Sequence, residues 1–153
     1  MKSEPDAYSI EDLRRDTTTP WDGIRNYQAR NFMRDDMTCG DLVLFYHSNT
    51  KPPGVVGIGE VASEPYPDPT AFDPESKYFD PKSKEENPRW LLVDIRYVDT
   101  LPEFVDLEAL KNEASLDGML VAKKGQRLSI QPVSAKHFRH VLKMGKRDMS
   151  GDD

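Results

Sequence analysis

Two short apolar segments joined by a proline-containing turn constrain the fold of this chain more than any other feature. Residues 42–46 are a continuous run of strand-forming apolar residues, and residues 55–61 return as a second strand. Residues 50–54 lie between the two runs and include Pro52 and Pro53, a composition typical of the connection in a β-hairpin. We therefore predict that two buried strands pair here and form the centre of a sheet.

The rest of the chain alternates irregularly between helix and strand signals. Further strands are predicted at residues 90–98 and 127–131, the second with Leu128 and Ile130 facing inward. Short helices are predicted where capping residues precede an apolar periodicity: Ser9 with Asp12 in a capping box, Asn26 or Asp22, Asp106, and Ser134. The pattern predicts an α+β fold, a small mixed β-barrel of about five or six strands surrounded by short helices.

Residues 64–88 form a long segment without strand or helix periodicity. The segment holds six of the chain's twelve prolines, four aromatic residues, and seven acidic residues against three lysines. Because disordered segments are poor in aromatic residues, we predict an ordered loop that packs against the body of the protein. Its carboxylates are expected to be solvated.

Length and composition favour one intracellular domain. The 153 residues are enough for a single core, and we predict one domain over residues 1–145 with a disordered tail at 146–153. A lone cysteine, no signal peptide and no long apolar run indicate a cytoplasmic protein without a membrane partner. The net charge of −6 argues against binding nucleic acid by bulk electrostatic attraction.

Catalytic signals are weak. The three histidines and Cys39 do not have the clustered spacing of a zinc site, and Ser48 beside His47 does not form a triad. Glycine-rich nucleotide-binding motifs do not occur. We therefore predict no catalytic residues, no metal and no cofactor.

The segment at residues 21–32 has a composition suited to binding a nucleobase. Trp21 can provide a wall on which an extruded base stacks. The polar residues that follow offer partners for the base edge and for the phosphates: Asp22 and Asn26 for the edge, Arg25 and Arg30 for the phosphates. Two alternatives remain open, a core position for Trp21 and ion pairs of the arginines with Asp22 or Asp35.

Six motifs together resemble the EVE domain family. They are KSEP at 2–5, WDGIRNYQARNF at 21–32, FYHSN at 45–49, DPKS at 80–83, NPRW at 87–90 and QRLSIQP at 126–132. The resemblance runs from residue 2 to about residue 142. It implies a PUA-like barrel, related to the YTH readers of methylated adenine, that binds modified bases, notably modified cytosines in DNA, by flipping the base into an aromatic-walled pocket. Family members usually carry a few more residues before KSEP, so the first strand is expected to be short or truncated.

The resemblance also implies a set of site residues. Trp21 is a wall of the modified-base pocket, and the residues expected around the base are Ser3, Glu4, Asp22, Asn26, His47, Ser48, Ser129 and Gln131. The candidates for a second wall are Phe72, Tyr78 and Trp90. The predicted phosphate contacts are Arg25, Arg30, Lys51 and Arg127.

The sequence thus predicts a non-enzymatic reader whose partner is nucleic acid carrying a modified base. One alternative is an RNA-binding module of the PUA type that recognises modified or structured RNA. A less favoured alternative is an enzyme acting on a modified nucleotide, with the same pocket as its active site.

Overall fold

The structure is a computed structural model that describes residues 1–123 and 128–147. Its strands are β1 (Lys2–Ser3), β2 (Thr18–Pro20), β3 (Leu42–His47), β4 (Gly54–Val61), β5 (Tyr66–Pro67), β6 (Leu91–Leu92) and β7 (Asp94–Asp106). Its α-helices are α1 (Ile10–Asp16), α2 (Tyr27–Asp35), α3 (Leu107–Asn112) and α4 (Ala135–Met144). Across these two ranges, no helix is long and apolar enough to cross a membrane.

Five strands form one curled sheet in the order β1-β3-β4-β7-β2. β3 and β4 are antiparallel, with Leu42 opposite Glu60 at one end and His47 opposite Gly54 at the other. This pairing confirms the predicted hairpin. β1 runs parallel to β3, the long β7 pairs with β4 and β2, and β5 and β6 form a separate small sheet. The half-barrel with surrounding helices confirms the predicted α+β fold.

The central sheet is buried on both faces, which explains the continuous apolar run of β3. Val43 and Phe45 belong to a core cluster beneath α1 and α2. Leu44 and Tyr46 point the other way and belong to a second cluster beneath α3 and α4. Successive side chains of a strand alternate between faces, so a strand that is covered on both sides needs apolar residues at every position.

The helix starts follow the predicted capping residues. The Ser9 hydroxyl accepts a hydrogen bond from the Asp12 amide at 3.1 Å, and the Asp12 carboxylate accepts one from the Ser9 amide at 2.9 Å. Asn26, rather than Asp22, caps α2. Asp106 and Ser134 cap α3 and α4. These side chains satisfy amide groups that the first turn of a helix leaves unpaired.

Two strand predictions differ from the structure. The single strand predicted at 90–98 is divided, because Leu91–Leu92 pairs with β5 whereas Asp94–Asp106 pairs with β4. The strand predicted at 127–131 is wrong for its described part, residues 128–131, which hold no strand. There the Ser129 carbonyl accepts one hydrogen bond from the Lys2 amide, at 2.8 Å. Ile130 is buried as predicted, and Leu128 is half-buried.

The long loop at 64–88 is ordered, as predicted. It contains β5 and the 3₁₀-helix Pro69–Phe72. Of the predicted tail, Lys146 and Arg147 are described, and the Arg147 guanidinium lies 2.8 Å from the Asp99 carboxylate. The remainder of the tail, residues 148–153, lies outside the described residues.

Candidate functional site

Trp21 begins the loop at residues 21–25 and is anchored to the core. Its amide donates a hydrogen bond to the Val93 carbonyl at 2.9 Å. Its ring meets Phe45 edge to face, with ring centroids 5.5 Å apart, and only 9% of the residue is exposed. Trp21 is therefore a core residue in this structure, the alternative that the sequence left open. A pocket role for it stays a prediction.

Phe45 connects Trp21 to His47. The rings of Phe45 and His47 also meet edge to face, with centroids 5.8 Å apart. The His47 Nε2 accepts a hydrogen bond from the Ile10 amide at 3.1 Å, and burial lowers the pKa of the imidazole. The imidazole is thus held in its neutral form as an acceptor at the start of α1.

The N-terminal residues Ser3 and Glu4 lie next to the end of β3. Ser3 lies opposite His47 in the sheet, and its carbonyl accepts a hydrogen bond from the Ser48 amide at 2.9 Å. The Ser3 hydroxyl donates to the Tyr8 carbonyl at 2.6 Å. Glu4 follows and is exposed. The structure therefore brings together four of the predicted pocket residues around one end of β3.

Ser129 and Gln131 lie on the opposite side of β1. The Ser129 carbonyl accepts a hydrogen bond from the Lys2 amide, and the Gln131 side chain donates one to the Leu128 carbonyl at 3.0 Å. Gln131 lines a cavity of about 550 Å³, which Trp21 does not line. The other lining residues include Met1, Leu42, Val43, Leu44 and Phe138. Gln131 thus faces a different space from the 21–25 loop.

Asp22 and Asn26 occupy different environments. Asp22 is exposed, yet the surrounding protein partly desolvates its carboxyl group, which, together with the nearby charge of Asp68, raises its pKa. The Asn26 side-chain oxygen accepts a hydrogen bond from the Ala29 amide at 3.0 Å. Asp22 is therefore available to a ligand, whereas Asn26 is engaged as a helix cap.

Arg25 connects the 21–25 loop to the long loop. Its guanidinium donates five hydrogen bonds, two of them to the Tyr78 carbonyl and one each to the Ile24 carbonyl, the Thr70 hydroxyl and the Asp68 carboxylate. The alternative in which Arg25 forms an ion pair with Asp22 or Asp35 is wrong, because its carboxylate partner is Asp68. A guanidinium has five N–H groups, so all of them are used within the protein and none is free for a phosphate.

Asp68 is the buried carboxylate that Arg25 pairs with, and it has no exposed surface. Burial alone would raise its pKa, but hydrogen bonds from Thr70, from the Gly23 amide and from Arg25 hold the pKa below its ordinary value. The expectation that the loop carboxylates are solvated is wrong for this residue. The missed signal is local, because an Asp before Pro-Thr is a typical cap of a short helical turn.

Arg30 retains a charge that is not paired with a carboxylate in the described structure. Its donors go to the Asn31 side-chain oxygen and to the Arg89 carbonyl, both uncharged. Asp35, the expected partner, pairs with Arg34 instead. Lys51 is exposed, and Arg127 lies outside the described residues.

The three candidates for a second wall have different positions. The Tyr78 ring lies against Gly23, where an added Cβ would come within 2.6 Å of the ring. Trp90 is buried, and its indole N–H donates to the Asp80 carboxylate at 2.7 Å. Phe72 is half-buried in the 3₁₀-helix of the long loop. Tyr78 thus contacts the 21–25 loop at Gly23, and Trp90 contacts the same loop through the Arg25 guanidinium, which lies 5.5 Å from the Trp90 ring centroid.

Comparison with known proteins places this chain among well-defined relatives. The EVE domain model matches residues 1–144. Human thymocyte nuclear protein 1 is 41% identical over 169 residues, which cover 98% of this chain and 74% of the human protein. A crystal structure from Pseudomonas putida is 45% identical with a TM-score of 0.91, covering 95% of this chain and 97% of the other.

One relative has been crystallised with a ligand. The structure of the human THYN1 protein in complex with DNA containing 5-methylcytosine is 41% identical to this chain, with a TM-score of 0.88. The match covers 97% of this chain and 96% of the human one. Family model, sequence and structure agree over almost the whole length, and they confirm the resemblance seen in the motifs. The chain belongs to the EVE domain family.

Proposed function

We propose that this protein is a non-enzymatic reader that binds DNA carrying a modified cytosine, with the modified base flipped into a pocket beside Trp21. The observation that carries the proposal is the complex of the human THYN1 protein with DNA containing 5-methylcytosine, since that protein matches this chain over nearly its whole length. A shared fold alone does not transfer function, so the proposal also needs a suitable site in this chain.

The residues around the 21–25 loop provide the chemistry that recognition of a flipped cytosine requires. A flipped base is held by stacking and by hydrogen bonds to its edge. Trp21 offers the stacking surface, and the exposed Asp22 beside it offers an acceptor. Carboxylates accept from the exocyclic amino group of cytosine, which thymine lacks. Asp22 is therefore the edge partner in this proposal.

Access to Trp21 requires the 21–25 loop to move, because only 9% of the residue is exposed. The net charge of −6 gives little attraction to the phosphate backbone. Affinity then depends mainly on contacts with the base itself, and we expect weak binding of DNA that offers no base to the pocket.

The test is fluorescence anisotropy with labelled duplexes of one sequence that carry either cytosine or 5-methylcytosine at one position. We expect tighter binding of the methylated duplex, and weaker binding by Trp21→Phe and Asp22→Asn. Trp21→Ala is unsuitable, since removing a large core side chain costs about 3–5 kcal/mol of folding free energy. Asp117→Asn is the matched control, because Asp117 is exposed next to the other core cluster.

Three outcomes contradict the proposal. Equal affinity for the two duplexes overturns recognition of the modification. Tighter binding of RNA of the same sequence favours the PUA-type RNA-binding alternative. Conversion of the bound modified nucleotide, detected by mass spectrometry after incubation, identifies an enzyme.

A further inference from the structure

A stacked pair of aromatic rings lies at the start of α2. The rings of Tyr27 and Trp90 have centroids 4.9 Å apart and planes 27° apart. Trp90 is 6% exposed and is fixed by its hydrogen bond to Asp80, whereas Tyr27 is 51% exposed. Tyr27 is thus a surface ring held in a defined orientation by a buried one.

A positive charge accompanies this ring. The Arg30 guanidinium lies over Tyr27 at 4.8 Å from the ring centroid and 5.9 Å from the Trp90 centroid. As described above, the acceptors of its hydrogen bonds are uncharged. An exposed aromatic ring beside a guanidinium that, within the described residues, donates to no carboxylate is the combination that single-stranded nucleic-acid sites use, because bases stack on the ring and phosphates attract the cation.

The stack is physically connected to the candidate base pocket. Arg25 lies 5.6 Å from the Tyr78 centroid and 5.5 Å from the Trp90 centroid. Tyr78 in turn packs against Gly23, two residues after Trp21. A continuous layer of side chains therefore runs from the 21–25 loop to Tyr27, so the exposed ring lies near the loop at which the pocket is proposed rather than on a remote surface.

We propose that Tyr27 stacks on a base that neighbours the flipped one, with Arg30 beside the adjoining phosphate. The inference rests on the proposed function. Flipping a base leaves its neighbours without a stacking partner, which is a cost that a positioned ring can offset. Trp90 and Arg30 hold Tyr27 before binding, so little conformational freedom is lost. Stacking is tolerant of sequence, so Tyr27 contributes affinity and not discrimination of the modification.

The experiment combines Tyr27 variants with duplexes that lack one base. Affinities are measured for 5-methylcytosine and cytosine duplexes, and for duplexes with an abasic position on the 5′ or the 3′ side of the methylated base. Tyr27→Phe keeps the ring, and Tyr27→Leu keeps an apolar cover over Trp90 without a ring. Phe104→Leu is the matched control, since Phe104 is an exposed aromatic of β7 at 45% exposure. Thermal melts verify that every variant is folded.

We expect Tyr27→Leu to weaken binding of both duplexes by about fivefold to 100-fold, with their affinity ratio unchanged. Tyr27→Phe and Phe104→Leu retain the wild-type affinities. Removing the neighbouring base on one side weakens DNA binding by the wild-type protein by a similar factor. The same removal does not further weaken DNA binding by Tyr27→Leu. Such non-additivity identifies direct contact between ring and base.

The inference is overturned if Tyr27→Leu binds the duplexes with wild-type affinity, or if the abasic position lowers the affinities of the wild-type protein and of Tyr27→Leu by the same factor. The proposed function survives either result as long as the wild-type protein still prefers the methylated duplex. If the wild-type protein binds no duplex, both the proposed function and the inference fail.

Discussion

The Arg25 guanidinium lies 3.0 Å from the Asp68 carboxylate, and Asp68 has no exposed surface. The pair joins the 21–25 loop to the long loop at 64–88. Asp68 also accepts the Gly23 amide at 2.9 Å, so the same carboxylate fixes the backbone two residues after Trp21. The candidate site is therefore assembled by a contact between two loops rather than by either loop alone.

Asp68→Ala is expected to lower the free energy of unfolding by about 3 kcal/mol, because it leaves a guanidinium and two backbone amides, all partly buried, without their acceptor. Urea denaturation followed by circular dichroism measures the change. Glu75→Ala is the matched control, since it removes an exposed carboxylate from the same loop and should change stability little. Equal effects of the two substitutions would show that the Arg25–Asp68 pair does not stabilise the fold.

The sequence predicted the elements whose signals are local. The apolar run of β3, the capping box of Ser9 and Asp12, and the cap of Ser134 each depend on a few adjacent residues, and the structure confirms all three. Residues 128–131 alternate like a strand, but a strand also needs a partner along its length, and there only Ser129 is bonded to β1. A pattern of residues cannot supply that information.

The candidate site was less predictable because its contacts are long-range. Arg25 and Asp68 are separated by 43 residues, and Tyr27 stacks on a tryptophan 63 residues away. Composition indicated that the residues near Trp21 bind something, yet it did not show that all five N–H groups of Arg25 are engaged within the protein, nor that Arg30 donates to no carboxylate among the described residues. That distinction depends on which acceptors the fold brings to each guanidinium.

Gly23→Ala should destabilise the protein more than Gly118→Ala. Both glycines have positive φ, +82° and +89°, so both substitutions carry similar backbone strain. At Gly23 the new Cβ would also lie 2.6 Å from the Tyr78 ring, whereas at Gly118 it meets no atom of the described residues within 4 Å. We expect about 1–3 kcal/mol of additional loss at Gly23 from this overlap. Chemical denaturation measures both variants, and equal losses would contradict close packing of Tyr78.

His47 is expected to make stability depend on pH. Burial lowers the pKa of its imidazole below the ordinary value of 6.5, so between the two values the unfolded chain binds more protons than the folded one. The stability that depends on a neutral His47 is fully present above pH 6.5 and is lost as the pH falls through the folded-state pKa of the imidazole. Protonation also removes the acceptor for the Ile10 amide.

The measurement is the difference in unfolding free energy between the wild-type protein and His47→Gln from pH 8 to pH 4. Taking the difference cancels the contributions of every ionisable group that the two proteins share. We expect the wild-type advantage to shrink on acidification below pH 6.5. A constant difference across the range would show that His47 keeps an ordinary pKa.

Arg30→Gln should reduce the salt dependence of DNA binding. Each phosphate contact adds about 0.9 to the slope of log affinity against log salt for duplex DNA, so losing one cation at the interface lowers the slope by about that amount. Arg34→Gln is the control, because it removes the same charge from the same helix, but Arg34 is already paired with Asp35. Anisotropy titrations at several salt concentrations give both slopes. If Arg30→Gln and Arg34→Gln leave the slope equally unchanged, Arg30 does not contact a phosphate.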